Sequence, residues 1–465
     1  MSLRFSLLII GLLAFGVVVS GQPAPPLVAP TEALSPADEA KGFTLPEGYV
    51  VQLVASEPDI FKPMNLSFDY QGRIWLTDSL EYPWAAKDGE KPRDGVKILS
   101  NFGPNGKAGK IQTFADGLNI PIGLLPLPSK KGEPTSALVH GIPNVWKITD
   151  TNGDSKADKR EPLLTGFGFR DTHGMTNSFQ LHWDGWIHAT HGFANDSEIK
   201  SPDGTVLKLN SGNTYRYLPD GSGLQSYTRG QVNPFGMTVD EWGNFYTADC
   251  HSKPIYQLLP GAIYPSFAKP HDGMGFGPDM IKHTHHSTGI CGIAILNDEN
   301  FPPEHRGSVV IGNVVTSKVN HDVIDRKGAT PNAVEQPDFI TSKDLWFRPV
   351  DIKLGPDGAL YILDFYNKII GHYEVPLTHP GRDRHRGRIW KVFYAGKDGR
   401  KTPPSLPNFQ EMSIPELVEA LSSSNLTKRI MAGHMLVRHG GEETGAALRK
   451  VASRATARND AQCIH

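Results

Sequence analysis

One phrase recurs along this chain, and it restricts the fold more than any other feature. It reads RPVDIKLGPDGALYILDFYN from Arg348, NPFGMTVDEWGNFYTADCHSK from Asn233, PMNLSFDYQGRIWLTDS from Pro63 and HGMTNSFQLHWDGWIHATHG from His173. Each copy joins two alternating apolar runs through a turn carrying Asp or Gly, then leaves on a polar residue. That is the pattern of a β-hairpin. Weaker copies start near Pro121 and Gly289. The six starts are separated by roughly 52–60 residues, a period that indicates a propeller or solenoid array. A hairpin repeat of this length fits a four-stranded blade. The predicted body is therefore an all-β six-bladed β-propeller whose active surface is the central channel.

The chain's 465 residues allow a large core and more than one domain. A formal net charge of −2 leaves no electrostatic footprint for nucleic acid. The 48 Gly and 37 Pro follow no collagen-like period, so they fit many short strands and tight turns. Arg4, an apolar run from Phe5 to Val19 and the small residues Ser20 and Gly21 read as a signal peptide over residues 1–21. A retained N-terminal membrane anchor is the competing reading. Either one predicts an exported protein, periplasmic or at the cell surface. No other segment is long and apolar enough to cross a bilayer. Cys250, Cys291 and Cys463 form no disulfide framework, and the absence of CxxCH excludes c-type haem attachment in this chain.

Residues 22–43 are rich in Pro, Ala and Glu and read as a tether. The propeller is expected over residues 44–395. Its first strand-like segment, LPEGYVVQLVAS, is expected to complete the last blade, with residues 49–55 pairing near 388–394, which removes an open sheet edge. Residues 396–411 read as a linker. From 412 to 465 the period becomes helical, with Leu417, Leu421, Ile430, Met431 and Leu436 on apolar faces. Ser413 and Glu416 form a candidate capping box, with Pro415 in the first turn. Two such helices resemble the opening of a HEAT-like array, and the expectation is a short, truncated piece of one.

The sharpest local motif is DTNGDSKADKRE from Asp150. Asp150, Asn152, Asp154, Asp158 and Glu161 fall at positions one, three, five, nine and twelve, the ligand spacing of a calcium loop, and Lys156 could add its carbonyl. Ser155 replaces the usual sixth-position Gly, and a solvated acidic turn is the alternative. Histidines come next. His173, His191 and His251 sit at repeat-equivalent strand ends of neighbouring blades, so they could converge at one channel mouth, with Asp249 or Asp364 orienting a ring. A neutral His can take a proton from an alcohol; each one singly could equally be a packing residue. His283 and His285 could share a metal or lie in a polar loop. The recurring exits Asp78, Asp249, Asn313 and Asp364 could face the channel or satisfy backbone groups at strand ends. Arg382, Arg384, Arg386 and Arg388 could clamp an anion or form a salt-bridged turn.

The phrases VNPFGMTVDEWGNFYTADCHSKPIYQLLPGA, AVEQPDF, WFRPVDIKLGPDGALYILDFYN and IIGHYEVPLTHPGRDRHRGRIWKV resemble the N-terminal propeller of the predicted membrane-bound dehydrogenases of planctomycetes and related bacteria. The propeller is also similar, more distantly, to soluble quinoprotein glucose and sorbosone dehydrogenases. The resemblance implies an exported oxidoreductase that acts on a sugar or polyol with pyrroloquinoline quinone, while calcium is expected from the spacing of the 150–161 loop, as a structural ion of blade two. It implies a c-type cytochrome domain or protein as electron acceptor. His173 takes the place of the catalytic base, with His191, His251, Asp249 and Asp364 as further catalytic candidates. Arg229, Asn233 and Arg348 are the implied cofactor-binding residues. Val232 departs from the pattern, standing where that quinone pocket carries an Arg. A non-catalytic carbohydrate- or protein-binding scaffold and a calcium-dependent hydrolase or lactonase are the alternatives.

Overall fold

The computed structural model describes residues 26–453 except 88, 270–272, 288, 329 and 372–373. The expected signal segment 1–21 and Cys463 lie outside the described residues. Six antiparallel sheets form a ring. Their inner strands are Lys62–Phe68, Leu124–Pro126, Asn177–Leu181, Asn233–Val239, Ile290–Ile295 and Pro349–Leu354, close to the six repeat starts. Each inner strand touches that of the next blade, and the sixth returns to the first. Within a blade, strands pair in chain order; blade one is Lys62–Phe68, Ile74–Ser79, Asp94–Phe102 and Ala108–Leu118. Blade three carries an extra hairpin, Asp196–Lys200 with Val206–Asn210. Tyr49–Ser56 forms the outer strand of blade six, with Tyr49 opposite Tyr394 and Ser56 opposite Arg388. The ring is thus closed by the N-terminal strand, and no open edge remains at that seam.

A second repeated feature lies inside the hairpins. In five blades the inner strand slips register near its start: at Pro63/Asn65, Asn177/Gln180, Pro234/Met237, Cys291/Ile293 and Pro349/Asp351. A bulge re-aims side chains. Here it coincides with hydrogen bonds between blades: Gly123 N to Asn65 Oδ1 (2.5 Å), Gly236 N to Ser178 Oγ (2.8 Å) and Leu66 N to Asp351 Oδ2 (3.1 Å). Strands come so close that a Cβ on Gly292, whose φ is +58°, would lie 2.8 Å from the backbone of Asp351. Only glycine fits there. These contacts form a waist with a cavity on either side.

The lower cavity, about 150 Å³, is covered by the helix Leu426–His439. The capping box on Ser413 and Glu416 is present and starts the preceding helix, Ile414–Ala420. Asn425 caps the covering helix and donates to Asp298 of blade five and the Gly355 carbonyl of blade six. Thr427 donates to the Leu354 carbonyl. His434 meets the Tyr70 hydroxyl of blade one (2.8 Å) and the His182 carbonyl of blade three (3.2 Å). Leu417, Met431, Met435 and Leu436 share one apolar cluster with Leu66, Leu99 and Leu363 of the propeller. These helices are therefore part of the propeller's core. Gly441–Ala452 follows as the last helix among the described residues, so the C-terminal region is helical, as its period predicted.

Two stretches read as linkers are also packed. In residues 26–43, Ala29 joins Trp346 and Tyr366 in a small core, and Phe43–Thr44 pairs with Ile340–Ser342. Glu39 is fully buried against Arg388, whose guanidinium also lies 3.6 Å from the Tyr366 ring centroid. A buried ion pair anchors what its composition had marked as a tether. In residues 396–411, Phe409 is buried in the cluster that holds the helices. Among the described residues no helix is long and apolar enough to cross a membrane.

Candidate active site

The upper cavity, about 460 Å³, opens at the mouth where the inner strands begin. Its wall is largely apolar, with Met64, Ile122, Phe193, Phe235, Ile290 and Val350 contributed by successive blades and Phe365 added by the sixth. A few polar groups converge on it. Chief among them is His173, half-buried, whose Nδ1 lies 3.0 Å from Oδ1 of the buried Asp171. The same oxygen accepts the His173 backbone N–H at 3.0 Å. Asp171 is itself held at both main-chain groups by buried Asn195: its N–H donates to Asn195 Oδ1 and its carbonyl accepts from Nδ2. Tyr82 meets the His173 ring edge-on at 5.1 Å, and burial pushes its hydroxyl above the ordinary tyrosine range. The carboxylate on Nδ1 fixes the orientation of the ring.

The expected trio of histidines is not assembled. His251 lines the cavity, in a left-handed conformation at φ +80°. His191 is fully buried behind the wall, with Nδ1 on the Ser211 carbonyl and Nε2 on Ser197 Oγ, both at 2.7 Å. Burial holds it down to about 4, so it is a neutral packing residue. The carboxylate beside His173 is Asp171, not Asp249 or Asp364. Asp249 accepts the amides of Val232 and Asn233, and Asp364 those of Arg348 and Tyr366. Asp78 does the same for Phe61. In each case a strand-end Asp clasps backbone near the start of its own blade's inner strand, which accounts for the recurrence of these exits.

The cofactor candidates also separate. Arg229 is exposed and does not line the cavity. Asn233 lines it, but its side chain joins the His173 carbonyl to the Phe193 amide (both 3.2 Å), which positions the loop bearing His173. Arg348 is buried in the wall and donates to the carbonyls of Asn367 and Val314 and to Ser317 Oγ. Burial lowers it to about 10. From the arginine run, Arg382 and Arg384 reach the rim, Arg386 pairs with Asp383, and Arg388 is the buried partner of Glu39 and Glu57. Cys250 and Cys291 both face the cavity as free thiols, and burial pushes the first up to about 12, which disfavours its thiolate.

The expected calcium loop is a turn network rather than a shared ligand set. Asp150 accepts the amides of Asn152, Gly153 and Ser155. Asn152 Oδ1 takes the Asp154 amide, Asp154 takes that of Lys156, and Asp158 takes Thr151. Glu161 pairs with Lys159 at the surface. The oxygens serve backbone N–H groups, as Asx turns do. The group of His, Cys, Asp or Glu side chains that does converge among the described residues is His283, His285 and Asp322, away from the cavity wall.

Sequence reasoning missed Asp171 and Tyr82. For Asp171 the spacing was available: in Asp171-Thr172-His173 an Asp two residues ahead can accept the His amide and reach its ring. Tyr82 comes from a loop of blade one and carries no comparable local pattern.

Fold and site together define a six-bladed propeller with a carboxylate-held imidazole at the open end of its channel. The chain belongs to the family described as a domain of unknown function, DUF7133, matched over residues 35–396. No curated protein matches it. Among solved structures it is similar to the holo form of the PQQ domain of pyranose dehydrogenase from Coprinopsis cinerea, at 11% identity over 76% of this chain and 97% of that one, with a TM-score of 0.49. It is similar to the PQQ-bound aldose sugar dehydrogenase of Streptomyces coelicolor, at 15% identity over 75% and 100%, with a TM-score of 0.46. The apo soluble aldose sugar dehydrogenase of Escherichia coli matches at 17% identity over 74% and 99%, with a TM-score of 0.45.

Proposed function

We propose that this protein is an exported quinoprotein-type dehydrogenase of a sugar or polyol. The observation that carries the reading is the Asp171–His173 pair at the wall of an apolar, one-ended cavity. His173 takes the proton of a substrate hydroxyl. Asp171 fixes the ring and favours the imidazolium that forms. The apolar wall keeps bulk water from the reacting carbon.

The residues present fit a flat anionic heterocycle. The cavity volume suits a tricyclic acid, aliphatic and aromatic side chains offer flat contact, and Arg384 brings positive charge to the lining for a carboxylate, while Arg382 is held by the carbonyls of Gly371, Val375 and Pro376. Pyrroloquinoline quinone, when bound, supplies the hydride acceptor. Transfer of the electrons to a c-type cytochrome domain or protein completes the proposal. Calcium belongs in the test as an added ion, since the 150–161 loop does not present a ligand set for it.

Dye-linked oxidation of a sugar and polyol panel, with and without added quinone and calcium, tests the reading. Quinone-dependent turnover is expected, and His173→Ala should lower it about 10²–10⁴-fold. Wild-type turnover in His173→Ala would place the base elsewhere. Failure of the quinone to bind or to support oxidation of any panel member would overturn the assignment in favour of a binding scaffold.

A further inference from the structure

The histidines of the segment HTHHSTG form a second site, on blade five. Asp322, on the strand Lys318–Asp325, is completely buried, and both its oxygens face imidazoles: Oδ1 lies 2.8 Å from His283 Nε2 and Oδ2 lies 2.6 Å from His285 Nε2. The two rings meet edge-to-face with centroids 4.5 Å apart. All three ligand atoms lie within 4.8 Å of one another. Two imidazole nitrogens and one carboxylate form a donor set that suits a divalent first-row transition ion.

Two independent features support a built site over a chance hydrogen-bonded cluster. The first is the partner on the far side of His285. Its Nδ1 lies 3.3 Å from Oε1 of Glu335, which sits directly across the strand pair from Asp322. A ligating His that donates its other ring N–H to a carboxylate has its tautomer and orientation fixed for metal. The second is the backbone. His285 and His286 adopt consecutive left-handed conformations, at φ +51° and +58°. Such conformations are uncommon for residues other than glycine and persist only where the surroundings demand them. Here they turn the chain so that two histidines face one carboxylate. The Asn313 side chain holds the turn through the His285 carbonyl.

We infer that His283, His285 and Asp322 bind a divalent transition ion of the zinc class, with Glu335 orienting His285. The ion ties the segment that carries the two histidines to blade five. A few residues further on, that segment contributes Ser287, Gly289 and Ile290 to the wall of the upper cavity. Metal binding thus braces one side of the cavity without touching its contents, and the inference stands whether or not the proposed dehydrogenase reading holds.

The test uses the whole chain, stripped with a chelator and dialysed against zinc, with bound metal counted by mass spectrometry and the melting temperature recorded in zinc and in chelator. One equivalent should bind, and zinc should raise the wild-type melting temperature by a few degrees. His283→Gln, at a half-buried position that tolerates change, and Asp322→Asn should each lose the equivalent and the zinc-dependent rise. Less than one equivalent on the wild type would overturn the site. So would a His283→Gln protein that keeps its zinc, or melting temperatures that drop equally in zinc and in chelator. If Asp322→Asn does not fold, the wild-type stoichiometry and His283→Gln decide.

Discussion

Asp171→Asn isolates the part of the site that owes most to geometry. The carboxylate is almost sealed from solvent and makes two bonds to one residue, to the ring Nδ1 and the backbone amide of His173, each 3.0 Å long. Asn195 holds its main chain from the other side, so an isosteric amide keeps the loop in place. The substitution therefore removes charge more than shape. A hydrogen bond to a charged group contributes about 1.5–3 kcal/mol and a neutral one about 0.5–1.5, so the difference is about 1–2 kcal/mol. In the transition state His173 carries the substrate proton, so that difference falls on the barrier and predicts a roughly 5- to 30-fold lower kcat. The assay is quinone-supported oxidation of the best panel substrate, with chemical denaturation as a control for folding. A kcat unchanged within twofold would refute the claim that Asp171 supports the base.

Two further outcomes concern the scaffold. His140 is fully buried, neither ring nitrogen has a hydrogen-bond partner among the described residues, and burial depresses it to about 3. Its contribution to stability is intact above the unfolded value near 6.5 and falls as the pH drops towards 3. Protonation of the unfolded chain should cost about 2 kcal/mol at pH 5, so His140→Phe should flatten the acid side of the urea-midpoint profile; an unchanged slope between pH 7 and 5 would refute it. Gly292→Ala should destabilise by at least about 1–3 kcal/mol, from a left-handed φ and a Cβ 2.8 Å from the Asp351 backbone, and a midpoint equal to wild type would show that the waist yields.

The ring was legible because a propeller writes its period into the chain. Alternation of apolar residues about an Asp- or Gly-bearing turn is a local property, and both the six inner strands and the closing pair Tyr49–Ser56 and Arg388–Tyr394 follow from it. The waist was not legible. Asn65, Ser178 and Asp351 look like ordinary strand residues, and only the bulges and the adjacent blade give them their partners. The site was legible by half. His173 and His251 stand at repeat ends that share a mouth, but repeat position does not tell a channel-facing end from a buried one, and His191 took the second course. Composition misled most at the flanks. Glu39 lies in a stretch whose Pro and Ala content reads as tether, yet its pairing with Arg388 depends on a residue 349 positions away.

The match to the family ends at residue 396, and the repeat pattern ends there too, but the closed body does not. The six inner strands leave a lower mouth lined by Leu66, Leu125, Val239 and Leu354, which would face water in an isolated ring. The helix Leu426–His439 covers those residues; its N-cap Asn425 reaches blades five and six, and His434, further along the helix, reaches blades one and three. A single helix fixed to four blades across the axis both seals the channel and ties the ring together. That closure gives the upper cavity its functional character. With the waist pinched and the lower mouth covered, anything bound beside His173 enters and leaves through the rim formed by Leu27, Arg382 and Arg384. The C-terminal helices, whose period read as a fragment separate from the propeller, are thus what gives the channel a single open end.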